Sequence, residues 1–158
     1  LCAKFRNGHF EGVLGVMDQL LKIIKAKYLF LGEKDYQQVY LIKKFIKNRY
    51  RIKIVLGKTI RFNNSLAYSS RNKLLNKKQI IVACNIAKKL MKYHSLIKKN
   101  FNSSKKLSIF KKDILKYKIK LEYIEIRNKI NLSKRFNKNN FKIFIAYYLN
   151  KVRLIDNF

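Results

Sequence analysis

Apolar residues recur at three- and four-residue steps through Val13, Val16, Met17, Leu20, Leu21 and Ile24, a spacing that predicts an amphipathic helix over residues 12–26. The apolar run Tyr28-Leu29-Phe30-Leu31 follows and predicts a short buried strand over 27–31. Helical spacing returns with Val39, Ile42, Phe45 and Ile46, marking a second helix over 36–48. Ile52, Ile54 and Leu56 then alternate, so a second strand is predicted over 51–56, stopped by Gly57. Helix, strand, helix, strand with short joints is the grammar of a parallel sheet. A two-stranded sheet is marginal alone, so this one is expected to continue in sequence upstream of Leu1.

Beyond Gly57 the pattern changes. All five glycines lie within the first 57 residues, which places a domain boundary near residue 58 and gives domains over 1–58 and 59–158. Residues 58–72 read as a loop. Asn76 followed three residues later by Gln79 is a capping-box pattern, and it opens a helix to residue 99 with Ile80, Ala83, Cys84, Ala87, Leu90 and Met91 at core spacing. A polar break over 100–104 leads to a helix over 105–117. Strands are predicted over 120–128, 141–149 and 152–156, with a loop at 137–140 and a tight turn at Asn150-Lys151. The expected fold class is α/β: a parallel-sheet portion first, then an α+β domain with a small antiparallel sheet.

Composition complicates this picture in one respect. The 158 residues include 38 Lys+Arg against 8 Asp+Glu, a formal net charge of +30, and 48% are hydrophobic, enough for a packed core. Such charge points to nucleic acid or an anionic membrane when it is gathered into a patch. Here the cations are mostly lysine and run the whole length, while Ile, Asn, Phe and Tyr are also abundant and Ala, Gly, Pro and Trp are scarce or absent. That is the codon signature of a drifting AT-rich genome, so the charge is read as drift, with weak, salt-sensitive nucleic-acid binding as a side effect. Cys2 and Cys84 form no CxxC and have no His cluster nearby, which excludes a zinc site of familiar spacing and a disulfide framework. Cys84 reads as a small buried thiol on an apolar helix face. No apolar run approaches the roughly 18 residues of a membrane span and no secretory signal is visible, so a cytoplasmic location is expected.

Four short elements carry candidate chemistry. Arg6-Asn7-Gly8-His9-Phe10-Glu11-Gly12-Val13 leads into the first helix, where backbone amides attract anions and Arg6 and His9 add donors. Gly32, Glu33, Lys34 and Asp35 crowd one glycine and two of the scarce acids onto the end of the first strand. In open α/β sheets, ligands bind outside the carboxyl ends of the strands. Lys34 there can neutralise a phosphate, Asp35 can cap the following helix or accept from ribose hydroxyls, and Gln38 faces the same side as Asp35. Tyr68, Ser69, Ser70 and Arg71 place two hydroxyls beside a guanidinium, a clamp suited to a polyphosphate. Arg153-Leu154-Ile155-Asp156-Asn157 alternates like an edge strand and reads as structural.

In this order and spacing the four elements resemble the pantoate–β-alanine ligases (pantothenate synthetases), a family of the nucleotidylyltransferase superfamily. The family pattern looks like Arg-Pro-Gly-His-Phe-x-Gly-Val, Gly-Glu-Lys-Asp-x-Gln-Gln, Leu-Ala-x-Ser-Ser-Arg-Asn and Arg-Leu-x-Asp-Asn, matched here at 6–13, 32–38, 66–72 and 153–157. The likeness covers essentially the whole chain. It implies the end of a Rossmann-like nucleotide-binding domain followed by a C-terminal lid domain, with the family's His-x-Gly-His half lying before Leu1. It also implies ATP-dependent condensation of pantoate with β-alanine through a pantoyl adenylate, with Mg²⁺ required, AMP and pyrophosphate released, and a homodimer as the full-length form. No specific nucleic acid and no membrane are implied as partners, and no metal-ligating residue is assigned. By the same resemblance, Gly32, Glu33, Lys34 and Asp35 contact ATP, the backbone at Ile60 reads adenine, and Tyr68, Ser69, Ser70 and Arg71 close over the phosphates. Gln38 would hold pantoate. Lys34, Ser69, Ser70 and Arg71 are then the catalytic candidates.

Three positions depart from the family pattern: Asn7 replaces Pro, Asn64-Ser65 replaces Asp-Gly, and Tyr68 stands where Met or Leu is usual. Ser65 is therefore expected to adopt a glycine's backbone geometry. The 158 residues alone are expected to be inactive. Two alternatives compete with the ligase reading: a basic nucleic-acid-binding protein and an inactive remnant of the ligase.

Overall fold

The computed structural model describes residue 1 and residues 5–63, 65–100 and 102–158, so Cys2 and Asn64 lie outside the described residues. The chain divides into two compact units, Leu1–Thr59 and Ile60–Phe158.

In the first unit, α1 (His9–Ile23) leads to β1 (Tyr28–Gly32), a 3₁₀ turn (Glu33–Asp35), α2 (Tyr36–Ile46) and β2 (Lys53–Gly57). The strands pair in parallel, Tyr28 opposite Lys53 through Gly32 opposite Gly57. Leu21, Ile42 and Ile46 form the buried core, with Val13, Leu14 and Met17 of α1 and Leu29, Leu31 and Ile54 of the strands against it. Two expectations need correction. The first helix begins at His9 and stops at Ile23, because Gly8 takes a left-handed conformation (φ 71°) before it and Ile24 is extended after it. The first strand is also not buried on both faces. Leu29 and Leu31 turn toward the core, whereas Tyr28 is 55% and Phe30 73% exposed. A continuous apolar run is ambiguous on this point, because alternation can be hidden when both faces are apolar.

In the second unit, α3 (Lys77–Lys99) and α4 (Ser103–Leu115) precede β3 (Lys120–Arg127), β4 (Lys142–Leu149) and β5 (Val152–Asn157). The three strands are antiparallel in the order β3-β4-β5. The α3 capping box forms as its residues predict: Gln79 N–H donates to Asn76 Oδ1 and Asn76 N–H to Gln79 Oε1, both at 2.9 Å. One face of β4 (Ile143, Ile145, Tyr147 and Leu149) joins Ala83, Ile86, Leu90 and Ile97 of α3 and Phe110 and Ile114 of α4 in a single core. Tyr93 stacks on Phe110 with ring centroids 4.6 Å apart, and Lys89 pairs with Asp113 across the two helices. Cys84 is buried as expected, but Met91 is 42% exposed and leaves the predicted core face. Asn150, with φ 53°, makes the tight turn between β4 and β5. No described helix is long and apolar enough to cross a membrane.

One polar tie in the first unit carries a pH dependence. Tyr50 donates its hydroxyl to Asp18 Oδ1 at 2.6 Å, and Lys22 sits 2.6 Å from the other carboxylate oxygen. Lys22 foremost, then Tyr50, holds the Asp18 carboxyl below its ordinary value of 3.8. A depressed folded value stabilises the fold above the ordinary value and is lost as pH falls through the folded one. Asp18→Asn is thus expected to lower the urea midpoint at neutral pH, and its gap to the unsubstituted chain should close in strong acid. A gap constant across pH would show that the carboxylate charge is not what Asp18 contributes.

Candidate functional site

Gly32 and Gly57 stand in register at the carboxyl ends of parallel β1 and β2. A Cβ built on Gly32 would meet nothing within 4 Å, so the strand tip opens onto free space rather than packed side chains. The chain then tightens into the Glu33–Asp35 turn and enters α2 at Tyr36. Asp35 occupies the N-cap position but makes no side-chain capping bond, so its expected capping contact does not form. Glu33, Lys34 and Gln38 are half-buried, and Gly32 and Asp35 are exposed. The turn therefore carries one cation and two carboxylates directly after the strand end, and Gln38 follows in α2.

At the start of α1, Arg6 Nη1 lies 2.8 Å from His9 Nε2. A guanidinium only donates, so His9 Nε2 is the acceptor in this contact. The pair described there is a local contact at the helix entry, reinforced by His9 N–H donating to the Arg6 carbonyl.

In the second unit, residues 60–72 hold more structure than the predicted loop. Arg61 and Ala67 bridge antiparallel, Tyr68 N–H donates to the Ile60 carbonyl at 3.0 Å, and Phe62 N–H donates to the Leu66 carbonyl at 2.9 Å. Phe62 and Tyr68 stack with centroids 3.6 Å apart. Ser69 Oγ accepts from Arg71 N–H and caps a 3₁₀ turn over Ser70–Leu74. The structure thus brings Ile60 next to Tyr68 by backbone pairing, and Ser69 next to Arg71 through the Ser69 side chain. Ile60, Tyr68 and Ser70 are exposed and Ser69 and Arg71 half-buried. Arg71 Nη1 reaches the Arg153 carbonyl at 3.4 Å. As expected from the departure noted in the sequence, Ser65 takes a left-handed backbone, φ 75°.

Comparison with known proteins decides the family. A family model described as pantoate-beta-alanine ligase matches residues 1–158. This chain belongs to the pantoate–β-alanine ligase family. Pantothenate synthetase of Francisella tularensis subsp. mediasiatica (strain FSC147) is 41% identical over 156 residues, covering 98% of this chain and 52% of the relative. That of subsp. novicida (strain U112) is 40% identical over the same shares. The chain therefore spans about half the length of the curated relatives it matches. Among solved structures, pantothenate synthetase from Thermus thermophilus superposes with a TM-score of 0.89 at 23% identity, over 100% of this chain and 58% of that one, and shows the shared fold. Pantoate-beta-alanine ligase from Francisella tularensis, complexed with beta-gamma ATP and beta-alanine, gives a TM-score of 0.77 at 38% identity, over 100% of this chain and 53% of that one.

Within this ligase-family chain, three residues near the candidate segments escape a reading based on local sequence. Gly57 registers only as a strand stop, yet it lies beside Gly32. Arg61 and Asp156 form a two-pronged ion pair at 2.8 Å on each prong, across a sequence distance that no local pattern spans; the near-terminal Asp-Asn match was its single clue.

The left-handed Ser65 yields a stability prediction. A non-glycine residue there is strained by about 1–2 kcal/mol, against about 0.4–1 kcal/mol of extra unfolded-chain freedom on introducing glycine. Ser65→Gly is expected to raise the urea midpoint modestly. A lower midpoint would mean that the Ser65 hydroxyl makes a contact worth more than the strain.

Proposed function

We propose that this chain supplies the ATP-handling and C-terminal elements of a cytoplasmic pantoate–β-alanine ligase. The reaction we assign joins pantoate to β-alanine in two steps, pantoate and ATP giving pantoyl adenylate and pyrophosphate, and the β-alanine amine then displacing AMP. The observation that carries this reading is the Gly-Glu-Lys-Asp motif seated on the carboxyl tip of a parallel strand, in a chain of this family. The solved Francisella ligase holding beta-gamma ATP and beta-alanine supports the choice of ATP and amine substrates.

In this reading residues 1–58 complete a Rossmann-like nucleotide-binding domain and residues 59–158 form a lid domain. Carboxylate attack on the α-phosphorus develops charge on phosphoryl oxygens, so the site needs fixed cations and donors rather than a nucleophile of its own. Lys34 supplies a point charge to the phosphates, and Asp35, left without a capping bond, has its carboxylate available for ribose hydroxyls. The open space at Gly32 lets backbone approach the nucleotide. Gln38, the third residue of α2, holds pantoate. Ile60 offers backbone polar groups to adenine, and Tyr68, Ser69, Ser70 and Arg71 bind the phosphates and exclude water from the acyl adenylate. The described residues contain no group of three His, Cys, Asp or Glu able to cage a metal. Mg²⁺ would arrive on the ATP phosphates, its usual mode, and would supply charge neutralisation there. The full-length ligase is proposed to be a homodimer.

Two measurements test the assignment. The 158-residue chain alone is expected to form no pantoate-dependent AMP, and to form it when joined to the N-terminal half of a family relative. Robust AMP production by the chain alone would refute its dependence on that half; none from the joined protein would sink the ligase reading. In the joined, active protein, Lys34→Ala should cut adenylation by at least ~10²-fold, as for loss of a charge-stabilising group. A near-normal rate would remove Lys34 from the phosphates.

A further inference from the structure

We infer that Arg61 and Asp156 are positioning residues that fix the root of the segment carrying Ser69, Ser70 and Arg71 against the C-terminal strand. The inference rests on the ligase reading for its functional consequence, though its geometry stands independently.

Every hydrogen on the two terminal nitrogens of Arg61 has an acceptor. Nη1 donates to Asp156 Oδ2 at 2.8 Å and to the Ser65 carbonyl at 2.9 Å. Nη2 donates to Asp156 Oδ1 at 2.8 Å and to the Asn157 carbonyl at 3.0 Å. The guanidinium also stacks on Phe158, its carbon 3.8 Å from the ring centroid. With side chains only 20% and 10% exposed, the pair is weakly screened by salt, and a bidentate fork fixes direction as well as distance. One side chain thus grips both β5 and the carbonyl of the left-handed Ser65. Ser65 is two residues from Ala67, which bridges back to Arg61, and Asn72 closes the far side by donating to the Ala67 carbonyl at 3.0 Å.

The strand that receives this grip is itself braced. Arg153 donates to Glu122 at 3.0 and 2.5 Å, and Glu122 sits at the register shift between Leu121 and Tyr123 of β3. Arg71 rests on the Arg153 carbonyl. The hydroxyl-and-guanidinium segment is therefore held at its root by Arg61–Asp156, while Tyr68 and Ser70 stay exposed.

The test compares Asp156→Asn and Arg61→Lys with the unsubstituted chain by amide hydrogen exchange. Asparagine keeps the shape without the charge; lysine keeps the charge without the fork. Both are expected to speed exchange across residues 62–72 by ~10-fold or more, with α3 changing less than ~2-fold, as local opening requires. Unchanged exchange at 62–72, or an equal rise throughout the second unit, would overturn the positioning role. In the joined, AMP-forming protein, Asp156→Asn should raise the KM for ATP by ~10-fold while leaving the KM for β-alanine unchanged, the mark of lost nucleotide binding. Equal loss for both substrates would also overturn it. Should the unsubstituted joined protein form no AMP, the ligase reading fails, and the exchange experiment still decides the positioning role.

Discussion

Negative charge is the scarce material of this protein. With 38 basic side chains and only 8 acidic ones, almost any lysine can stay in water, but a carboxylate placed in the fold determines which elements are tied. Asp18 joins α1 to Tyr50 beyond α2, Asp113 joins α4 to α3, Glu122 joins β3 to β5, and Asp156 joins β5 to the segment after residue 60. Of these four, the Glu122 and Asp156 pairs are the least exposed and use arginine, whose planar fork suits a desolvated bidentate contact better than an ammonium does. The exposed pairs use lysine, and contribute little by themselves in high dielectric. Glu33 and Asp35 stand in the turn after β1, where two of so few acids occur within three residues.

The two units differ in how they are held. The second has a continuous core in which one face of β4 meets α3 and α4, with Ile86, Leu90, Ile97, Ile114, Ile143 and Ile145 almost fully removed from water. The first has a cluster of three buried side chains, Leu21, Ile42 and Ile46, under a two-stranded parallel sheet. Parallel sheets are ordinarily covered on both faces, yet here Phe30 lies 73% exposed on the face away from the helices. A small core makes local polar ties, such as Tyr50 to Asp18, more consequential in that unit than they would be in the second.

What sequence reading recovered depended on whether the deciding interaction was local. The α3 start was legible because Asn76 and Gln79 satisfy one another within three residues, and the β4–β5 turn because two residues must reverse the chain. Helix faces were legible through periodicity, except at Met91 and at Val16, Leu20 and Ile24, where the apolar spacing continues onto exposed positions. The first helix start was misplaced because Phe10, one of its buried residues, precedes the obvious apolar stripe. The two-faced look of β1 hid its exposed side for the reason that Tyr and Phe are apolar whether or not anything covers them. Residues 60–68 looked shapeless since their order comes from Arg61, and the residue that orders Arg61 is 95 positions away. Of the candidate residues, the strand-tip cluster was visible because glycine and acids are rare enough here to stand out.

The segment after residue 60 shows how a small backbone strain and a strong ion pair belong together. Ser65 holds a conformation that glycine would adopt without steric cost, and a single residue of this kind survives only where its surroundings over-determine it. Its N–H donates to the Phe62 carbonyl and its own carbonyl accepts from Arg61, so both polar groups of the peptide are fixed from within the same unit. Remove the fork and the strained residue loses the partner that holds it. Phe62 and Tyr68 stack at the end of this root, and Ser70 lies beyond in a short 3₁₀ turn. In the ligase reading we propose, a segment that meets a polyphosphate would gain from such a root, because a fixed root lowers the entropy lost when the tip is ordered, whereas a loose root would make each hydroxyl and guanidinium contact carry that cost again.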